Sequence, residues 1–514
     1  MAYGQDRPNI LVIVADDLGY SDLACFGGEI STPNIDALAA RGVLFSNFHT
    51  APTCAPTRAM LFSGNDNHTA GMGSQMRTTG EYGYEGHLSD RIVPFPQILL
   101  ESGYHTSIAG KWHLGMRAED NAHAKGFEQS FTLLPGAGNH YDDQGLFKEH
   151  PISPYTENGD SINWPEGAYS TDFYTEKIIE YIDQYKEDPD PFFSIATYTS
   201  PHWPLQVDSK FWHKYKGKYD EGYEVLRTKR FNKLKEIGLI QKEAILPAPH
   251  PSVKPWDSLS KDEKKKESRK MELYAGMVDN LDYNIGKLIE YLKSTDQYDQ
   301  TLIVFMSDNG AAANDFYNNS YFSPFLREHF NDDYLSMGLP DSFISYGPQW
   351  AEAGSAAFRY YKNYTTDGGI RTPLIISGPG VLHKKKPVTE LVTIMDLAPT
   401  FIELGKTIYP VQIGDRMISP MKGESLVDFL KGVSNTAHSK DYVYIVEQGG
   451  HATVMKGPWK IVCQPGEEPW KFELFNTQMD LSEENDLSSS YPKKRKELDQ
   501  LWEAYKKELL ILEP

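Results

Sequence analysis

The stretch Pro8-Asn9-Ile10-Leu11-Val12-Ile13-Val14-Ala15-Asp16-Asp17 sets the fold class. Its apolar part, Ile10 to Ala15, is too short for a typical helix and rich in β-branched residues, the pattern of a strand buried on both faces. Such strands belong to parallel sheets covered by helices on each side. The run stops on two carboxylates. In open α/β sheets ligands gather beyond the carboxyl ends of the strands, so Asp16 and Asp17 stand where a ligand or metal is met.

Outward from this run the alternation of strand and helix repeats. Thr32 reads as an N-cap, Pro33 as a first-turn proline and Gly42 as the stop of a helix carrying Ile35, Leu38 and Ala39. Ile98 to Glu101 leads into Thr106 to Ala109, and Phe192 to Tyr198, Leu302 to Ser307 and Leu374 to Ser377 continue the strand set. A long helix around Met271 to Leu292 precedes Leu302. The expected fold class is α/β, with a large, mostly parallel central sheet and helices on both faces. From about Asp441 the texture changes to short alternating runs, Tyr442 to Val446, Ala452 to Met455 and Trp459 to Val462, and then to an amphipathic helix from Lys493 to Leu510. This reads as a small C-terminal α+β domain with an antiparallel sheet. The boundary falls near Lys422 to Lys440, dividing the chain into residues 1–430 and 431–514.

Two insertions interrupt the pattern. Residues 208–268 have Lys/Glu-rich helical texture, and Lys264-Lys265-Lys266 reads as a solvated helix face. Residues 311–361 are rich in aromatics, among them Tyr317, Phe322, Phe343, Tyr346 and Trp350. They read either as a pocket wall or lid or as a small core of their own.

At 514 residues the chain exceeds what one growing core accommodates. The formal net charge of -20, from 71 acidic against 51 basic residues, argues against nonspecific nucleic-acid binding. It leaves an anionic substrate open, because near neighbours set the field in a pocket. Three cysteines, Cys25, Cys54 and Cys463, signal no disulfide framework. There is no run of about twenty apolar residues, and Met1 to Asp6 lacks the basic and apolar parts of a leader. The expectation is a soluble protein, cytoplasmic or periplasmic/secreted, without a membrane partner. Oligomeric state is not set by these features.

Asp308-Asn309-Gly310 forms a second strand end bearing oxygen ligands. Either pair alone reads as a turn or helix cap; two in one sheet point to a divalent cation. Three carboxylates and an amide oxygen suit Ca²⁺ or Mg²⁺, and the lack of a His/Cys cluster disfavours Zn²⁺. Cys54-Ala55-Pro56-Thr57-Arg58 opens a short helix, whose dipole, with Arg58, is expected to lower the thiol pKa. Taken singly, Cys54 reads as a structural thiol. Lys111 and His113 follow the strand Thr106 to Ala109, within reach of the same cleft; singly they read as a surface lysine and a partly buried histidine. His202, between Pro201 and Pro204, also suits a turn, and Lys362 stands upstream of the Gly368-Gly369 turn.

Together the C-x-P-x-R pentad, the segment Gly103 to His113, the Asp308 triplet and Lys362 to Arg371 resemble the type I sulfatases of the alkaline phosphatase superfamily, with bacterial arylsulfatases the most similar. The resemblance implies a sulfuric ester hydrolase in which a formylglycine-generating maturation enzyme has oxidised Cys54 to formylglycine. One hydroxyl of the aldehyde hydrate attacks sulfur and the other expels sulfate. It implies one Ca²⁺, with Mg²⁺ the lesser candidate, on Asp16, Asp17, Asp308, Asn309 and the modified Cys54. Arg58 holds the nucleophile's charge, Lys111 and Lys362 bind sulfate, His113 takes a proton in the elimination, and His202 is the acid for the leaving oxygen. The chain departs from many relatives at Ala55, Thr57 and Asp367. An aryl sulfate is the expected substrate. Alternatives are a carbohydrate or alkyl sulfate, a phosphonate or phosphate ester cleaved by the same nucleophile, and a binding module that skips maturation.

Overall fold

The computed structural model describes residues 7–75, 78–148, 150–464 and 469–513; the leader reading at Met1 to Asp6 lies outside them. A ten-stranded sheet organises the chain. From one edge its strands are Val392–Thr393, Val43–His49, Arg371–Ser377, Thr301–Ser307, Asn9–Ala15, Phe192–Thr197, His105–Lys111, Gln129–Leu133, Tyr155–Glu157 and Asp160–Ile162. Asn9–Ala15 lies in the middle, parallel to both neighbours. Leu11, Ile13 and Ala15 enter the core on one face, and Ile10, Val12 and Val14 the core on the other. Each such fully buried aliphatic side chain contributes roughly 1.5–3 kcal/mol, which places the most apolar strand centrally.

Helices cover both faces. Lys261–Ser294, the long one, starts at a capping box made by Ser260 and Glu263. Lys265 lies over the Tyr334 ring and Lys266 donates to the Asp332 carbonyl, so the lysine triplet is a solvated face that also touches the aromatic insertion. Thr32 precedes the helix Pro33–Arg41 but does not cap it. Its hydroxyl accepts from the Ala24 N–H and donates to Asp36. The Asp282 carboxylate accepts from the Asn34 and Ile35 N–H groups instead, a cap supplied by another helix.

Two strands run against the common direction of the sheet: Tyr155–Glu157 near one edge, and one of the strands read from sequence. Arg371–Ser377 is antiparallel to both Thr301–Ser307 and Val43–His49. An apolar run carries no sign of its direction; here the preceding loop sits at the ligand end of the sheet, so the strand must run away from it.

The C-terminal segment forms a four-stranded antiparallel sheet, Tyr444–Gln448, His451–Lys456, Trp459–Cys463 and Phe472–Asn476. The fourth strand adds to the three read from sequence. The helix Pro492–Glu508 covers one face through Leu498, Trp502 and Tyr505. Tyr444, Val446 and Met455 on the same sheet belong to the core of the large domain, so the small sheet is packed between the two. In the aromatic insertion, Phe316, Leu326, Phe330 and Phe343 form a cluster with Ala137 and Leu146, while Tyr346 and Trp350 enter the main core. Most of these aromatics therefore pack on one another. Among the described residues no helix is long and apolar enough to cross a membrane.

Candidate active site

At the carboxyl end of the central strands the loops converge on Cys54. The Asp16 N–H donates to the Ser200 carbonyl and the Asp308 N–H to the Ala15 carbonyl, which locks two strand ends and the His202 turn together. Asp17 has a φ of 64°, a left-handed conformation that Asp tolerates better than most residues, and its N–H donates to Asp308 Oδ1. Cys54 is the first residue of the helix Cys54–Ser63, every residue of which is buried. Its Sγ lies 3.4 Å from Asp16 Oδ1, 3.6 Å from Asp17 Oδ1 and 3.2 Å from Lys362 Nζ.

Three cations meet the three carboxylates. Arg58, one turn along the same helix face, donates Nε and Nη2 to Asp308 Oδ2 and Nη1 to the Lys111 carbonyl. Lys111 Nζ is 2.8 Å from each Asp16 oxygen. Lys362 Nζ is 2.6 and 2.8 Å from the two Asp17 oxygens. Burial pushes the Asp17 carboxyl up, yet Lys362, His202 and Lys111 together hold it well below the usual carboxylate range. Asp308 is raised, by burial and by Asp16, against the pull of Arg58.

The thiol departs from the sequence expectation. Burial, then the charges of Asp308 and Asp16, push Cys54 well above the ordinary thiol range, and Lys111 and Lys362 only partly offset them. Arg58 is paired with Asp308, and its charge does not outweigh burial and the carboxylates at the thiol. A cysteine here is a protonated thiol and a poor nucleophile.

His202 Nδ1 lies 2.7 Å from the Trp203 carbonyl, an acceptor only, so Nδ1 carries the proton. Nε2 then presents a lone pair to Asp17 Oδ2 at 3.3 Å. Burial is the main reason its pKa falls to about 3, with Asp17 opposing and Lys362 and Lys111 adding to the fall. His113 is partly exposed and is kept neutral by burial and by the charges of Lys111, Arg58 and Lys362. Its Nδ1 has no partner. Gly136 is required beside it, since a Cβ there would stand 2.4 Å from His113 Cε1.

A metal ion fits the donors present. Ligand atoms of Asp16, Asp17, Cys54 and His202 lie within 4.8 Å of one another, all buried. Asp17 Oδ2 and His202 Nε2 face each other as two acceptors at 3.3 Å, a gap that either a proton on Nε2 or a cation fills. Asn309 Oδ1 is buried without a partner, while its Nδ2 donates to Asp17 Oδ1. Three carboxylates balance three cations, so a divalent ion leaves the site with net positive charge for an anionic substrate. The sulfatase family profile matches residues 8–407, and a profile of the C-terminal region of N-sulphoglucosamine sulphohydrolase matches 357–510.

The chain belongs to the sulfatase family. A sulfatase of Schizosaccharomyces pombe is 40% identical over 524 residues, covering 98% of this chain and 94% of the relative. The arylsulfatase of Klebsiella aerogenes is 36% identical over 431 residues, covering 82% and 92%. The crystal structure of Ps i-CgsB in complex with k-i-k-neocarrahexaose superposes with a TM-score of 0.67 at 25% identity, covering 97% of this chain and 92% of that one. This sulfatase hydrolyses sulfuric esters, chemistry that family members carry out with a bound metal. All ten site residues read from its sequence lie in this one region. His140 was not read: its Nε2 contacts the His202 carbonyl and its Nδ1 the Ser170 hydroxyl, so it holds the His202 turn from behind. Its signal, a histidine after Gly138-Asn139, has no spacing that distinguishes it.

Proposed function

We propose that this sulfatase is an arylsulfatase-type enzyme whose nucleophile is made from Cys54 by oxidation to formylglycine, with one Ca²⁺ on Asp16, Asp17, Asp308 and Asn309. The supporting observation is the placing of Cys54, buried at a helix start against two carboxylates and Lys362, where a thiol stays protonated. The oxidised side chain supplies a hydroxyl nucleophile in place of that thiol, and a hard cation supplies Lewis-acid stabilisation of its charge.

The remaining steps fall to the chain's own side chains. Lys111 and Lys362 neutralise the nonbridging sulfate oxygens, and Arg58 orients Asp308 and adds positive charge beside the nucleophile. His202 offers Nε2 to the leaving oxygen; a substrate anion beside it raises its affinity for the proton it must donate. His113, neutral and with Nδ1 unpaired, is the proton acceptor when sulfate departs. Cys54 is only 1% exposed, so the maturation enzyme acts before the fold closes over it. We keep the reading of two domains, residues 1–430 and 431–514, and of a soluble chain from its strong acidity.

Trp203, whose ring centroid lies 4.2 Å from that of His202 with the rings tilted by 44°, provides an apolar wall beside the proposed acid and favours an aryl leaving group. A saccharide sulfate is the second reading, because the aromatics of 311–361 are spent mainly on their own cluster. Measured kcat/KM for p-nitrophenyl sulfate against a 6-sulfated amino sugar tests this. The aryl ester should be turned over at least about tenfold more efficiently, the scale of one apolar contact; the reverse order assigns the sulfatase to saccharides.

A further inference from the structure

The small sheet contains a buried cation, Lys460, on the strand Trp459–Cys463, with its side chain fully out of solvent. Its Nζ is 2.5 Å from Asp367 Oδ1 and 2.5 Å from Glu483 Oε1. Asp367 also accepts from His49 Nε2 at 3.3 Å and Arg371 Nη1 at 3.2 Å, and its N–H donates to Glu483 Oε2 at 2.9 Å. Burial raises the Asp367 carboxyl, but Lys460, His49 and Arg371 hold it well below the carboxylate range. A charge cluster sealed from water in this way is rigid, because any displacement separates charges where no solvent screens them.

Asp367 closes the loop that carries Lys362. At the other end of that loop Arg359 donates Nη1 to Glu473 Oε2 and to the Glu483 carbonyl. Between them, the Asn363 N–H donates to the Pro52 carbonyl, two residues before Cys54, and the Thr365 hydroxyl to the Ala452 carbonyl of the small sheet. Gly368 and Gly369 pass too close to the loop's own backbone for a side chain: a Cβ would stand 2.0 Å from the Tyr360 and Tyr364 carbonyl oxygens respectively. The Gly310 N–H, next to Asn309, donates to the Gly369 carbonyl. The Lys362 loop is thus held at both ends by the C-terminal segment and tied in its middle to the Cys54 and Asn309 loops.

We infer that Lys460 is a positioning residue for sulfate recognition: through Asp367 it fixes the loop that aims Lys362 at Asp17 and Cys54. The inference rests on the reading of Lys362 as a sulfate-binding cation. The C-terminal sheet then sets the geometry of the catalytic centre although none of its residues touches the substrate.

The test compares Lys460→Met, Lys460→Arg and Lys362→Met, and the Lys362→Met variant carrying Lys460→Met, in p-nitrophenyl sulfate turnover and inhibition by inorganic sulfate. Lys460→Met should lower kcat/KM by about 10- to 100-fold, the cost of a misplacement near 1 Å, and weaken sulfate inhibition. Lys460→Arg should recover part of both. In the Lys362→Met background Lys460→Met should add less than about twofold, because the two act as one unit. The same factor in both backgrounds, or wild-type turnover and inhibition in Lys460→Met, overturns the role of Lys460. Unchanged activity in Lys362→Met overturns the sulfate-binding reading itself. Should Lys460→Met not fold, Glu483→Gln carries the test: it keeps an acceptor for the Asp367 N–H, removes one charge facing Lys460, and should lower kcat/KM in the wild-type background only.

Discussion

Lys111 and Arg58 illustrate what burial does to single residues in this site. Each is almost completely enclosed and paired with a carboxylate, so each is a preorganised charge whose removal the protein cannot replace with water. Lys111→Met should reduce kcat on p-nitrophenyl sulfate by roughly 10²- to 10³-fold and also lower the thermal midpoint, because Asp16 is left buried without its partner. Histidines give a second prediction. His140 is buried and neutral, with a pKa depressed to about 4 mainly by burial. A depressed histidine binds its proton less well when folded, so the unfolded chain takes up protons first and stability falls as pH drops from 6.5 toward 4. The loss is on the order of 2–3 kcal/mol, and His140→Gln should flatten the slope of thermal midpoint against pH over that window. Cys54, Arg58, Lys111 and the aspartates were legible because motif spacing and strand ends mark them. His140 and Lys460 were not, since their partners, His202 and Asp367, lie 62 and 93 residues away. The environment of Cys54 was legible only in part: a helix start reads as lowering a thiol pKa, but the carboxylates that reverse the effect arrive from other strands.

Among elements, strands were easier to read than their directions. The central run announced itself by composition, whereas the antiparallel sense of Arg371–Ser377 goes with a preceding loop that is tied to the C-terminal sheet through Ala452 and Lys460. The fourth C-terminal strand, Phe472–Asn476, is as long as Trp459–Cys463, the strand it pairs with, so length does not separate it from the three read from sequence. Helix starts show the same dependence. Thr32 looks like a cap, yet Asp282 supplies the acceptor. Asp282→Ala should therefore lower stability by about 1–2 kcal/mol, and Thr32→Ala by less, in thermal denaturation followed by circular dichroism. Equal losses would return the capping role to Thr32.

For the molecule as a whole, a chain of net charge -20 gathers three buried cations and a candidate metal site at one end of a sheet, an arrangement suited to an anionic substrate. The large domain supplies most of these groups, and the small sheet holds one of the loops that present them. Removing divalent ions with a chelator should abolish turnover, and added Ca²⁺ should restore it more fully than Mg²⁺, since several carboxylates with an amide oxygen suit the larger, more flexible coordination shell. The central claim is that the nucleophile is not a thiol. The most direct measurement is the mass of the proteolytic peptide containing Cys54, from protein made in its own host and shown to hydrolyse p-nitrophenyl sulfate. The peptide should carry an aldehyde or its hydrate at residue 54; fully active protein with an unmodified cysteine there would contradict the account.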